Sequence, residues 1–294
     1  MTVPRISRLL SSFRPSTRCW APIPLRLPTV YNVGQYRLLQ TDASDVIFLQ
    51  EVNYDAYAHL LRDTRIRDGY FITDAEDKTA FDDVPFTTIT LLSKASFTCR
   101  NTPGNKLVGP VTRHKFPSHY GREALSTEVF LPLSSCDDGW RCLRLINVHL
   151  DSLSSTLHYR KEQMAIVASI LHEDIYQTEE GQGGLGLAAG DFNAISPEDQ
   201  ELIAKNKLTD AWVQLHGDNI ARYGGSTWGN AKDKRWDRQR PGRLDRVAMT
   251  GGLETLKMDI LRPGTITLPK PGKENDEISW SDHAGLRCTF RICY

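Results

Sequence analysis

The sequence lacks several features that would assign a protein to a class at once. Its 36 basic and 36 acidic side chains give a formal net charge of zero over 294 residues, so no global field attracts it to nucleic acid. No apolar run approaches the roughly 20 residues of a membrane-spanning helix. The six cysteines have no paired metal-type spacing. We therefore expect no membrane span and no cysteine-bound zinc.

The first 41 residues contain no Asp or Glu, although six Arg and four Ser lie among them. An acid-free start rich in Arg and Ser is typical of a mitochondrial transit peptide. Five prolines in the same stretch argue against one, because they prevent a long amphipathic helix. We expect residues 1–41 to be a disordered or atypical leader and residues 42–294 to form one domain.

The cysteines indicate the compartment. Cys142 and Cys288 lie inside strand-like runs, where a small buried thiol is a more natural reading than a disulfide. This pattern predicts a reducing, intracellular environment. The nucleus and the cytoplasm both fit it, and the acid-free start keeps the mitochondrion as an alternative.

Strand-like and helix-like segments alternate from about residue 42. Residues 46–49 form a short continuous apolar run, which is typical of a strand covered on both faces. Further strands are predicted over residues 86–92, 125–131, 143–149, 185–189, 244–249 and 284–292. Helices between groups of strands predict an α/β fold, a four-layer α/β sandwich with two central mixed β-sheets flanked by helices.

The clearest predicted helix covers residues 158–175. Met164 and Val167 belong to its buried stripe, whereas Arg160 and Lys161 are expected on its solvated face. A second helix is predicted to begin at Pro197.

Polar side chains follow four of the predicted strands, and in a folded sheet they would meet at one rim. They comprise hard oxygen ligands and one imidazole, namely Glu51, Asp191, Asn193, Asp245, Asp282 and His283. Such a set suits a magnesium ion and a phosphate better than zinc or a covalent nucleophile. We expect Glu51 and Asp282 to bind Mg²⁺, with Mn²⁺ as the alternative ion.

Catalytic roles follow from the chemistry of the remaining groups. Asp191 can accept a proton from water or orient it, and Asn193 can donate to a phosphate oxygen. Asp245 can fix the tautomer of His283, which could then stabilise charge on the phosphate. His149, at the end of a strand, can donate to a non-bridging oxygen.

Each of these residues also has an ordinary structural interpretation when it is taken alone. Glu51 could be a solvated strand end, Asp191 and Asn193 an Asx turn, and His149 a satisfied core group. The basic residues between 232 and 246 could grip a phosphate backbone together with Trp228 and Trp236, or form a solvated loop.

Together, in this order, the fragments resemble the endonuclease/exonuclease/phosphatase superfamily of magnesium-dependent phosphodiesterases. Within it they are most similar to the type 2 5′-tyrosyl-DNA phosphodiesterases. The matching stretches are residues 45–52, 86–89, 116–118, 121–122, 149–152, 227–228 and 243–246.

The resemblance implies roles at matching positions. Glu51 would bind magnesium, Asp191 would be the general acid or base, and His283 would bind the phosphate. Arg122 would lie near the phosphate, while Trp228 and the stretch from 149 to 154, Ser152 included, would contact DNA. It further implies a DNA-repair enzyme whose substrate is a DNA 5′ end carrying a tyrosyl adduct. We also expect the protein to be a monomer.

The start of the chain departs from the family pattern. The family opens with a strand that ends in Asn, followed by a helix, and the candidate here is Asn32, only 19 residues before Glu51. This first unit is therefore missing or shortened. Two alternatives stay open: action on abasic DNA, RNA or phosphoinositides, and a catalytically impaired remnant that only binds.

Overall fold

A computed structural model describes residues 29–32, 44–75, 77–99, 106–132, 140–173, 184–217, 224–229, 241–268, 276–279 and 281–293. The strands are β1 Thr29–Asn32, β2 Val46–Val52, β3 Tyr70–Ile72, β4 Thr87–Ser93, β5 Phe97–Thr98, β6 Lys106–Lys115, β7 Glu123–Pro132, β8 Trp140–His149, β9 Leu185–Asp191, β10 Thr209–Asp210, β11 Asp245–Met249, β12 Leu253–Leu261, β13 Thr265–Leu268, β14 Asp276–Ser279 and β15 Gly285–Ile292. The helices are α1 Tyr54–Arg62, α2 Thr64–Gly69, α3 Leu157–His172, α4 Leu202–Lys205 and α5 Ala211–His216. Short 3₁₀ turns cover Thr79–Phe81, Ser154–Thr156 and Pro197–Glu201.

Two mixed sheets organise these elements. The first has the strand order β12-β15-β1-β2-β4-β3, and the second has the order β10-β11-β9-β8-β7-β6-β5. The β1–β2 pair and the β8–β9 pair are parallel, whereas most other neighbours are antiparallel. β13 and β14 form a separate two-stranded sheet.

Three apolar cores show why the layers stack. In β2, the alternate residues Val46 and Phe48 enter the core between the sheets, because successive strand residues face opposite sides. Ile47 and Leu49 pack instead in a core with α1. A third core joins the second sheet to α3 through Met164 and its neighbours. The predicted four-layer α/β sandwich is therefore confirmed.

A buried polar bridge joins the two sheets. Gln50 Nε2 on β2 donates to Asn147 Oδ1 on β8 over 2.7 Å. The Asn147 amide in turn donates to the carbonyls of Leu49 and Ile89, at 3.2 and 2.9 Å. Because these side chains lie just before Glu51 and His149, the bridge fixes the sheets to each other beside the predicted site.

The first sheet includes a strand from the stretch expected to be a leader. Thr29–Asn32 lies between β15 and β2, and Asn32 is opposite Gln50 in the parallel register. The central strand is thus present, which rules out its loss. Residues 33–43, where a helix would follow, lie outside the described part, and the domain boundary at residue 42 stays a prediction.

The prediction of a solvent-exposed side chain on α3 is wrong at one position. Arg160 was expected on the solvated face of α3, but its side chain is fully buried. The cause is a carboxylate 39 residues away: the Arg160 guanidinium forms two hydrogen bonds with Asp199, whose own side chain is buried. A buried charge is tolerated when it is paired and hydrogen-bonded.

In the described part of the chain, no helix has both the length and the apolar character needed to cross a membrane.

Candidate active site

Three side chains predicted from separate fragments come together at one end of the second sheet. Asp191 ends β9 and lies opposite Asp245, the first residue of β11. His283 Nδ1 lies 2.8 Å from Asp245 Oδ2. One potential ligand atom from each of the three residues lies within 4.8 Å of the others.

A short segment before β11 holds His283 next to the sheet. Thr227 Oγ1 accepts hydrogen bonds from the backbone amides of Leu244 and Asp245, and the Thr227 carbonyl accepts one from Ala284. Trp228 pairs with His283 through an isolated β-bridge. The segment therefore ties the chain before β15 to the start of β11.

The pKa of Asp191 is raised to about 7. Burial is the largest cause, the cationic His283 opposes it, and the nearby carboxylates of Asp245 and Glu51 raise the pKa further. A carboxylate with a pKa near neutrality suits a group that exchanges protons with water.

The pKa of His283 is raised to about 10. Burial alone would lower it, but the charge and hydrogen bond of Asp245, with the charges of Asp191 and Asp282, outweigh burial. His283 is therefore an imidazolium at neutral pH and can donate to an anion.

Two positive φ angles turn the chain at the ends of β2 and β9. Glu51 has a φ of 54° and Asn193 a φ of 46°, values that are uncommon outside glycine. The Glu51 side chain stays 44% exposed. The Asn193 amide donates to the Leu150 carbonyl at 2.9 Å, and its backbone N–H donates to Asp191 Oδ1. Donation from Asn193 to a phosphate stays a prediction.

His149 lies on the other side of Asp191 from β11. The parallel register of β8 and β9 places it next to Asp191, with 3.4 Å between Nε2 and the carboxylate Oδ2. Glu51 Oε1 lies 4.0 Å from the same nitrogen. Burial, followed by the charges of Arg122 and His283, holds the pKa of His149 well below its usual value. His149 is therefore neutral.

Arg122 occupies the wall of a cavity that adjoins His149. Its guanidinium lies 4.9 Å above the Phe86 ring and 5.5 Å from the Tyr120 ring, and Phe86 stacks on His149. Its buried Nε has no hydrogen-bond partner among the described residues. Arg122 and His149 both line this small cavity, and a cation in its wall suits an anionic ligand.

The remaining predicted contacts lie around this centre. Trp228 is half-buried, and its Nε1 donates to Asp282 Oδ2 at 3.3 Å. Ser152 is half-buried in the loop after β8, and its carbonyl accepts from Thr156. Contact of Ser152 and Trp228 with DNA stays a prediction.

The residues present fit a hard divalent cation. In the described part of the chain, Asp191, Asp245 and His283 bring potential ligand atoms within 4.8 Å of one another. The protonated His283 offers no lone pair, so the carboxylate oxygens are the groups that would bind an ion, and the charges of Asp245 and Glu51 both disfavour ionisation of Asp191. The sequence placed the ion on Glu51 and Asp282 instead. Glu51 lies beside His149, whereas Asp282 is held by Trp228, and both stay predictions as ligands.

Sequence reasoning missed the side chains that support the cavity. Arg113 forms ion pairs with Asp74 and Glu123 and donates to Thr87 at 3.1 Å and to the carbonyl of Thr88. Its partners are spread over 50 residues of sequence, from 74 to 123, so no local pattern indicates them.

The basic segment has two described members with a structural role. Arg243 and Arg246 are buried and pair with Asp210, so the solvated-loop interpretation does not hold for them. Residues 230–240 lie outside the described part of the chain.

Comparison with known proteins identifies the family. The Endonuclease/Exonuclease/phosphatase family matches residues 5–283. No curated protein matches the sequence significantly.

Solved structures share the fold at low identity. TDP2 from D. rerio, in a complex with a single-strand DNA product, superposes with a TM-score of 0.64 at 19% identity, covering 90% of this chain and 98% of that one. TDP2 from C. elegans gives 0.61 at 20% identity, over 90% and 74% of the two chains. The human Nocturnin catalytic domain with a bound sulfate anion gives 0.56 at 16% identity, over 92% and 96%.

The resemblance found in the sequence is therefore confirmed, with TDP2 among the similar structures. The layered architecture and the family match over residues 5–283 lead to one conclusion. The chain belongs to the endonuclease/exonuclease/phosphatase family.

Proposed function

We propose that this protein is a magnesium-dependent phosphodiesterase that hydrolyses 5′-phosphotyrosyl DNA ends in DNA repair. The observation that carries the proposal is the buried Asp191–Asp245–His283 cluster, with neutral His149 beside it and Arg122 in the adjoining cavity wall. The family and the DNA-bound TDP2 neighbour support nucleic acid as the substrate.

The charged groups of the site would have different roles in the reaction. The scissile phosphate is anionic, and it would lie between the His283 imidazolium and the Arg122 guanidinium. His149, being neutral, can donate one hydrogen bond to a non-bridging oxygen. Asp191 would accept the proton of the attacking water and Asn193 would fix its carboxylate, since the Asn193 N–H already donates to it.

Asp245 does not need to touch the substrate. It holds His283 through Nδ1, so Nε2 is the ring nitrogen that would carry a proton toward the phosphate. The carboxylates of Glu51 and Asp191 would hold a divalent cation. When bound, this cation would neutralise the negative charge that develops on the phosphate. The phenolate of tyrosine needs little help from a general acid to leave, because its conjugate acid has a pKa of about 10.

A substrate panel tests the proposal. The purified protein is given a 5′-tyrosyl oligonucleotide, abasic-site DNA, an RNA oligomer and a phosphoinositide, each with Mg²⁺, with Mn²⁺ and with EDTA. We expect release of tyrosine to be the fastest reaction, with Mg²⁺ and not with EDTA. Preference for the phosphoinositide or RNA would replace the DNA assignment.

Magnesium titration by calorimetry separates an enzyme from a remnant that only binds. Binding that weakens in Glu51→Gln supports a metal-dependent hydrolase. A protein that binds DNA and no cation would be a catalytically dead scaffold.

We further propose that the protein acts as an intracellular monomer. The four described cysteines are free thiols, with Cys142 and Cys288 on strands, which supports a reducing compartment. Light scattering and subcellular fractionation check the two statements, and fractionation also separates the nucleus and cytoplasm from the mitochondrion.

A further inference from the structure

Helix α3 carries two polar residues where packing alone would place apolar ones. Arg160 and Gln163 are fully buried, on the side of the helix that also buries Met164, Val167 and Leu171. Apolar residues of similar volume would pack against the second sheet at no desolvation cost. The two polar groups therefore have a purpose other than covering the core.

Arg160 connects the loops that follow β8 and β9. Its Nη1 donates to the carbonyls of Asp151 and Leu153, at 3.0 and 2.7 Å, in the loop after His149. Its Nε and Nη2 bind the two oxygens of Asp199, at 2.8 and 2.9 Å. Asp199 also accepts from the Ser196 amide at 2.7 Å, in the loop that follows Asn193.

Leu153 shows that the first loop is held away from its relaxed conformation. This residue has a φ of 72° and is 57% exposed. Non-glycine residues persist in this region only where their surroundings enforce it. Its carbonyl is one of the two that Arg160 binds.

Gln163 connects the same loop to Arg122. Its Oε1 accepts from the Asp151 amide at 3.0 Å, and its Nε2 donates to the Pro117 carbonyl at 2.9 Å. The Asp151 carboxylate accepts from Ser118 Oγ at 2.5 Å, and Ser118 Oγ accepts from the Arg122 amide at 2.9 Å.

We propose that Arg160 and Gln163 are positioning residues that set three loops relative to one another: the loop that follows His149, the loop that carries Asn193 and the loop that carries Arg122. Neither touches the reacting atoms. The inference rests on the proposed phosphodiester hydrolysis, because its kinetic consequence appears in that reaction. Misplacement of site groups by a fraction of an ångström lowers turnover, since the transition state needs several groups aligned at once.

The matched test compares the two ends of α3. The double variant Arg160→Met, Asp199→Leu removes the Arg160–Asp199 ion pair without leaving an unpaired buried charge. The control is Arg144→Met with Glu128→Leu. Arg144 is also buried and charge-paired, and it binds the carbonyls of Ile170 and Glu173 at the far end of the same helix.

Both double variants are assayed on the 5′-tyrosyl oligonucleotide at a temperature where circular dichroism shows each to be folded. We expect kcat to fall about 10–100-fold in the Arg160 variant, with KM nearly unchanged, and the control to keep the wild-type kcat. An equal fall in both variants, or no fall in the Arg160 variant, overturns the proposal.

A second measurement needs no substrate. Hydrogen exchange is followed at the amides of residues 150–156 and 193–199 in wild type, Gln163→Met and the two double variants. We expect faster exchange at residues 150–156 in Gln163→Met and in the Arg160 double variant. At residues 193–199 we expect faster exchange in the Arg160 double variant alone, and the Arg144 control should match wild type in both loops. If the wild type cleaves no phosphodiester, the proposed function fails, and exchange decides the positioning role. Unchanged exchange in both loops overturns it.

Discussion

The two histidines of the site lie on either side of Asp191, yet they are held in opposite charge states. His283 pairs with Asp245 at 2.8 Å, and its pKa rises to about 10. His149 is buried near Arg122, and its pKa falls well below the usual value. The same side chain thus becomes a cation on one side and a neutral donor on the other.

The difference shows how a site can bind an anion without accumulating charge. A second imidazolium at His149 would face Arg122 and His283, both of which lower its pKa. Holding His149 neutral keeps a hydrogen-bond donor in place without adding to that repulsion. The contrast is set by which partner each ring meets, since burial acts on both rings in the same direction.

Removing the carboxylate between the two histidines has the largest expected effect. We expect Asp191→Asn to lower kcat by about 10²–10⁴, the usual contribution of a general base. It also removes one negative charge near His283, so the pKa of that ring should fall. Asp259→Asn, which alters a partly exposed carboxylate on β12, is the control. Wild-type turnover in Asp191→Asn would refute the assigned role.

Breaking the His283 pair should make the two histidines alike. In Asp245→Asn, the ring loses the carboxylate that raises its pKa, while burial remains and lowers it. We expect a neutral His283 at pH 7 and a fall in kcat of about 10–100-fold. NMR titration of the ring checks the charge. A ring that stays protonated in the variant would contradict the explanation.

The two rings should give opposite pH dependences of stability in the metal-free protein. The folded pKa of His283 lies above 6.5, so its contribution is full below pH 6.5 and is lost as the pH rises toward 10. The folded pKa of His149 lies below 6.5, so its contribution to stability falls as the pH drops below that value. The raised pKa of Asp191 acts in the opposite direction between about pH 7 and 3.8, so the His149 contribution is read from the difference between wild type and a His149 variant.

Urea unfolding at a series of pH values measures both slopes. We expect Asp245→Asn to flatten the alkaline slope and His149→Gln to flatten the acid slope. Each variant should leave the other slope in place. A single variant that removes both slopes would show that the rings are not separately controlled.

The smallest expected effect concerns the stack that holds His149. Phe86→Leu removes an aromatic contact with His149 and the cation–π contact with Arg122. We expect the free energy of unfolding to fall by about 1 kcal/mol and turnover to fall modestly. Phe71→Leu, which removes a half-buried ring under Lys94 far along the sheet, is the control. Equal turnover in both variants would show that Phe86 does not contribute to the site.

The sequence pattern was sufficient to predict an element when a single segment contained all the residues that define it. The continuous apolar run at residues 46–49 predicted a strand covered on both faces, and β2 is buried at every position except Glu51. The pairing of His283 with Asp245 followed from chemical complementarity of two short motifs. The second prediction worked because strand ends bring polar residues to one rim of a sheet.

The pattern failed where the partner is distant in sequence. Arg160 reads as a solvated helix residue, because its carboxylate lies 39 residues away in the chain. Gln50 and Asn147, which bridge the two sheets, are 97 residues apart. No helical or strand periodicity records such pairs, since both are set by how the layers stack.

The central claim is that the Asp191–Asp245–His283 cluster hydrolyses a phosphodiester with the help of a divalent cation. Tyrosine release from a 5′-tyrosyl oligonucleotide, followed for wild type with Mg²⁺ and again after EDTA, tests it most directly. The account predicts rapid release that EDTA abolishes and added Mg²⁺ restores. Release at the uncatalysed rate with Mg²⁺, or release that EDTA leaves unchanged, would contradict it.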